Sequence, residues 1–132
     1  MSFTGKFIIE GETEHPILDV QISMNRSVDS NGRPNGLPTG GMIRLTIACP
    51  DASNPFWGWM VNPQSTKDGS IEYASEQGKP TRIVTFCNAY CVDYTERFTG
   101  SGSTPMTVSV VLTAEKVGNG ADVLNNNWGV LQ

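Results

Sequence analysis

The sequence has little of what catalysis or a metal centre needs. Among 132 residues there is one histidine, His15, and three cysteines, Cys49, Cys87 and Cys91. A tetrahedral zinc site takes four ligands at suitable spacing, and the C-N-A-Y-C run of Cys87 and Cys91 does not have the usual spacing of a zinc pair. Nothing around these cysteines marks an activated nucleophile near a helix N-terminus. The segment G-L-P-T-G-G-M lacks the Lys-Ser/Thr that follows the glycines of a phosphate-binding loop. No catalytic residue, cofactor or metal is therefore expected. Disulfides are not expected either, because the cysteine count is odd. In an extended segment Cys87 and Cys91 would sit roughly 13 Å apart, against a bridging limit of about 7 Å. All three thiols are expected to be buried as small hydrophobes.

Positive charge is also scarce. The formal net charge is -4, and the basic residues are scattered and form no stripe. Nucleic acid is thus an unlikely partner on electrostatic grounds. No apolar run approaches the ~20 residues of a membrane-spanning helix. Met1 to Glu10 has one Lys and then alternating residues, without the apolar stretch of a secretory leader. The expectation is a chain made in the cytoplasm, not inserted in a membrane, and exported only by a route that needs no leader.

What the chain does have is a period of two. Met106, Val108, Val110, Leu112 and Ala114 alternate with polar residues, Val111 excepted, and predict a half-buried strand. Leu18, Val20, Ile22 and Met24 alternate similarly, as do Ile43, Leu45, Ile47 and Cys49. Phe3, Phe7 and Ile9 predict an N-terminal strand, and Ile71 and Tyr73 a short one. Ile83 to Phe98 is longer and less regular. There Val84, Phe86, Tyr90, Val92 and Tyr94 are assigned one face, with a bulge or bend near Asn88-Ala89. His15, beside Pro16, is placed at a turn. One short helix is predicted in S-N-P-F-W-G-W-M-V-N-P, capped by Ser53 or Asn54, opened by Pro55 and stopped by Pro63. Phe56, Trp59 and Met60 share its inner face, with Trp57 opposite. The tail from Val117 offers a final edge strand or a loose end. The sum is one domain over residues 1–132, a mainly β, antiparallel barrel or sandwich of seven or eight strands.

Between two of the strands lies N-R-S-V-D-S-N-G-R-P-N-G-L-P-T-G-G, Asn25 to Gly41, with four glycines and two prolines. Gly and Pro at this density stop helix and strand alike. Structureless loops beyond about 12–15 residues are uncommon in small domains and usually functional. This arm has no aromatic residue, so it is poor material for a small-molecule pocket. It suits backbone and charge contacts to another protein. Two classes stay open on the residues alone: a building block whose edges and arm meet further copies, and a small binding module with a recognition loop.

Taken in order, N-R-S-V-D-S-N-G-R-P, G-G-M-I-R-L, F-W-G-W-M-V-N-P, F-C-N-A-Y-C-V-D-Y-T-E-R-F and P-M-T-V-S-V-V-L-T-A, ending near N-N-W at Asn126 to Trp128, resemble the Hcp tube proteins of type VI secretion systems. The form found in the Bacteroidota type of the machine is the nearest. The resemblance implies a two-sheet antiparallel β-barrel with one short α-helix, a subunit of a hexameric ring. It implies stacked rings as an inner tube, with a contractile sheath, a tip spike and a baseplate as partners, and effector proteins in the lumen. It implies no enzymatic activity and no cofactor, and 132 residues leave no room for a fused toxin. Secretion would follow contraction, without a signal peptide. The family's extended loop falls on about 27–41, so Asn25, Arg26, Asp29, Gly32, Arg33 and Pro34 are expected at ring or stacking contacts. Local stabilisation of the loop root by Asn25, Arg26 and Asp29 is the competing role. Trp57 is a possible contact to sheath or neighbour, whereas Tyr90, Tyr94, Glu96 and Phe98 are given ordinary core and barrel-edge roles. The alternatives are the tube protein of a related phage-like contractile particle and a ligand-binding β-barrel.

Overall fold

The computed structural model describes residues 3–10, 14–48, 55–75, 80–100, 106–126 and 128. Cys49, the capping pair Ser53 and Asn54, and Asn127 lie outside them. The elements are β1 (Phe3–Ile9), β2 (Glu14–Asn25), β3 (Thr39–Ala48), α1 (Pro55–Val61), β4 (Lys67–Ser75), β5 (Pro80–Phe98), β6 (Met106–Gly118) and β7 (Val123–Asn125). Every pairing is antiparallel, in the order β3-β2-β1-β4-β5-β6-β7, and β3 also pairs with β6. Six strands thereby close into a barrel, and β7 is added outside on β6.

Three strands serve two sheets each. The first sheet comprises Ile17–Asn25 of β2, then β3, the first half of β6, and Tyr90–Phe98 of β5. The second comprises Glu14–Pro16 of β2, then β1, β4, Pro80–Ala89 of β5, the end of β6, and β7. Register shifts mark the crossings: between Ile17 and Asp19, at the Phe86–Ala89 stretch facing β4, and between Cys91 and Asp93. A bulge adds a residue, bends the strand and turns the side-chain phase over.

These bulges correct two expectations. In β2 the extra residue makes Ile17 share a face with Val20 and Ile22, which pack on the core, while Leu18 and Met24 are exposed. In β5 the expected break at Asn88-Ala89 is present, and Asn88 takes a left-handed backbone, φ 55°. Its consequence is that Ala89 and Cys91 point inward, and Tyr90 and Val92 outward. The second bulge restores the phase, so Tyr94 packs against the core again. The stretch is one bent strand. His15 is a strand residue, buried with its ring 5.3 Å from Phe56, and not part of a turn.

The core fills the space between the sheets. Phe7 is at its centre, 5.5 Å from the Phe86 ring and 5.8 Å from Phe56. The helix is two turns with a glycine inside, so its docked aromatics hold it. Phe56 and Trp59 are buried, and Met60, assigned to the same face, is exposed. The Trp59 indole Nε1 donates to the Ala89 carbonyl at 2.9 Å. Each such buried aromatic contributes about 2–3 kcal/mol. Gly69 allows β1 and β4 to approach: a Cβ there would collide with the Ile8 carbonyl and lie 2.8 Å from Phe86. No helix among the described residues is long and apolar enough to cross a membrane.

Candidate assembly interface

The arm is not structureless. It continues the β2–β3 hairpin as a narrower, wholly exposed one, with a Val28–Pro34 bridge between its legs. Asp29 organises the tip. Its Oδ1 accepts from the Asn31 and Arg33 backbone N–H groups at 2.9 and 3.0 Å, and its own N–H donates to the Arg33 carbonyl at 2.9 Å. Gly32 supplies the positive φ, 81°, that the turn requires. Lower down, Ser27 Oγ donates to Asn35 Oδ1 at 2.7 Å, and Arg26 Nε to the Gly36 carbonyl at 3.1 Å. At the root, Thr39 Oγ1 donates to Asn25 Oδ1 at 3.2 Å. Asn25, Arg26 and Asp29 thus spend polar groups on the arm itself. Arg33 joins the tip through its backbone, and Pro34 through the bridge. The six arm residues singled out from sequence are all here, on one exposed finger. The arm's Leu37 is 75% exposed.

Trp57 projects from the outer face of α1, exposed as expected, with its ring edge-on to Tyr94 at 5.6 Å. The Tyr94 hydroxyl donates to Glu96 Oε1 at 2.8 Å. Of the residues given core and edge roles, only Tyr94 is half-buried. Tyr90 packs against Trp128 at 5.7 Å on the outside, and Phe98 is 72% exposed. The tail provides an edge strand and a clasp: Asn126 Nδ2 donates to the Gly40 and Ala114 carbonyls, at 3.1 and 2.9 Å, across the seam of β3 and β6.

The first sheet has two long sides that no described strand pairs with. β1 pairs with β2 only over Glu14–Pro16, leaving Ile17–Asn25 bonded on the β3 side alone. β4 reaches β5 only as far as Ala89, leaving Tyr90–Phe98 bonded on the β6 side alone. Sequence patterning missed these half-paired stretches, because pairing limits depend on where the bulges fall. The outward face of the sheet is polar, with rows Asp19–Thr46–Ser109–Thr95 and Gln21–Arg44–Val111–Asp93 in register. Thr46 and Ser109 are hydrogen-bonded at 3.0 Å.

Chemistry for catalysis is sparse. Burial pushes the Cys91 thiol up to about 11, outweighing its contact with the Asp93 carbonyl, so it stays protonated at neutral pH. Cys87, expected to be buried, is exposed. Among the described residues no group of three His, Cys, Asp or Glu could hold a metal ion.

The model of the family described as hemolysin coregulated protein Hcp (TssD) matches residues 1–129. The chain belongs to the Hcp family. Hcp proteins are structural tube subunits of type VI secretion systems. Hcp1 from Flavobacterium johnsoniae is similar at 25% identity and a TM-score of 0.83, over 93% of this chain and 99% of that one. Hcp1 from Salmonella typhimurium shares the fold at 11% identity and a TM-score of 0.72, over 89% and 85%. So does a chain of the PVC sheath–tube complex, an extracellular contractile injection system, at 17% identity and 0.52, over 93% and 88%. A search of curated proteins with the sequence finds no match.

Proposed function

We propose that this Hcp chain builds the inner tube of a type VI secretion system as a hexameric ring that stacks on further rings. The observation that carries the ring is the half-paired first sheet. Its two free sides lie at opposite margins, on β2 and on β5. Different patches on one copy make a heterologous contact, and repeating it closes a ring in which each margin is matched. Unsatisfied strand margins otherwise template uncontrolled association. In this arrangement the first sheets form a continuous wall. Their polar faces, with Asp19, Arg44 and Asp93, turn to a water-filled lumen in which effector proteins travel. The arm reaches the next ring, with Asp29 holding the tip in shape and Arg33 and Pro34 making contact. Trp57 faces the sheath or a neighbour. The chain needs no cofactor and catalyses no reaction. It is made in the cytoplasm and leaves by contraction, with a spike at the tip and a baseplate beneath.

Negative-stain microscopy of the purified protein tests this: six-fold rings with a central hole are expected, and uniform single barrels would contradict it. The fold shared with the PVC chain supports a second reading, a tube subunit of a free contractile particle. Neighbouring genes for a membrane-anchoring complex favour the first reading, and a baseplate with no membrane anchor favours the second.

A further inference from the structure

Apolar surface is exposed at both ends of the barrel, in complementary forms. At the arm end the two sheets part and leave a cavity of about 360 Å³. Its walls include Ile22 and Met24 of β2, Val84 of β5, Val117 of β6, and Val123 and Leu124 of β7, and Arg82 and Asp122 stand in its lining. At the opposite end β5 runs out to Phe98, which pairs with Met106 where β6 begins. Phe98 is left 72% exposed there. It shares a strand face with Tyr94 and Glu96, the face that turns toward the second sheet. Knob and slot therefore lie in the same layer of the molecule, between the sheets, at opposite ends.

We propose that Phe98 of one copy seats in the arm-end slot of a copy in the adjacent ring. The occupant is a second copy of this chain, and the inference rests on the reading of the chain as a stacking tube subunit. Three observations select it. A contact between unlike ends repeats head to tail, as a stack requires. The slot adjoins the arm root, since Met24 and Pro38 line it, so it is continuous with the arm's own contact. The slot also carries a cation, Arg82, beside the anion Asp122, and the anionic Glu96 lies two residues before Phe98. A benzyl group fits easily in the volume, and burying an exposed aromatic is the usual source of a strong anchor.

Disulfide trapping tests it. Phe98→Cys and Val123→Cys change exposed side chains only, and Cys87→Ser removes the native thiol that is exposed among the described residues. Oxidation of the triple variant at high concentration should give a ladder of multimers on denaturing gels, absent when either new cysteine is omitted. Microscopy of the same samples reads rings and stacks separately. Stacks with a ladder support the seat. Rings or stacks without a ladder overturn it and leave the tube reading standing. Single barrels overturn both. As a second arm, Phe98→Ala should weaken stacking by about tenfold or more with rings unchanged, and wild-type stacking would count against the seat.

Discussion

At the scale of single residues, Asn88 controls the most geometry. It holds a left-handed φ of 55°, a conformation that Asn and Gly adopt more readily than other residues. Its backbone N–H donates to Asp68 Oδ1 at 2.8 Å, and its Nδ2 to Glu115 Oε1 at 2.9 Å. It thus fastens β5 to β4 and β6 where the strand changes sheets. Asn88→Ala should cost about 1–3 kcal/mol, measured by denaturant unfolding. Asn88→Gly should cost less, because glycine keeps the conformation and loses only the side-chain bonds.

Cys91 makes a pH prediction. Its thiol is raised from 9.0 to about 11 in the folded chain. The unfolded chain therefore ionises first, so this contribution to stability is complete below pH 9 and lost as pH rises to about 11. The loss is at most about 2–3 kcal/mol. Cys91→Ala should remove that part of the alkaline slope, seen by comparing unfolding midpoints of the two proteins at pH 8 and pH 10.5. An identical slope in both would refute it.

At the scale of elements, the arm should be separable from the barrel. Its hydrogen bonds run mostly within residues 25–39, and its side chains are exposed. Asp29→Ala removes the acceptor of two tip bonds and should loosen the finger while changing barrel stability by less than about 1 kcal/mol. Replacing Ser27–Gly36 by a short glycine turn should likewise preserve the fold and reduce stacking. The checks are thermal unfolding for the fold and microscopy for stacks. Undiminished stacking would assign the arm another role.

The same scale shows what could be read in the residues. β3 and β6 were legible because their alternation is unbroken, and their inward residues Ile43, Leu45, Ile47, Val108, Val110 and Leu112 are buried. The alternation of β2 and β5 misled, because a bulge between Ile17 and Asp19 in β2 and two between Phe86 and Asp93 in β5 change its phase. Only Asn88 carried a signal of this, a polar residue inside an apolar face. The arm's position was legible from its Gly and Pro. Its ordered interior was not, although an Asp three residues before a Gly hints at a side-chain-supported turn. The exposure of Phe98 had no sequence signal.

For the whole molecule, the account depends on a closed barrel that leaves two margins of one sheet half-paired. The Lys6–Glu14 ion pair, at 3.9 Å, is exposed and contributes little. Stability comes from the core between the sheets, and the surface is left for assembly. Native mass spectrometry tests the central claim most directly. The account predicts a dominant species at six times the 14.3 kDa chain mass. A monodisperse monomer at high concentration would contradict it.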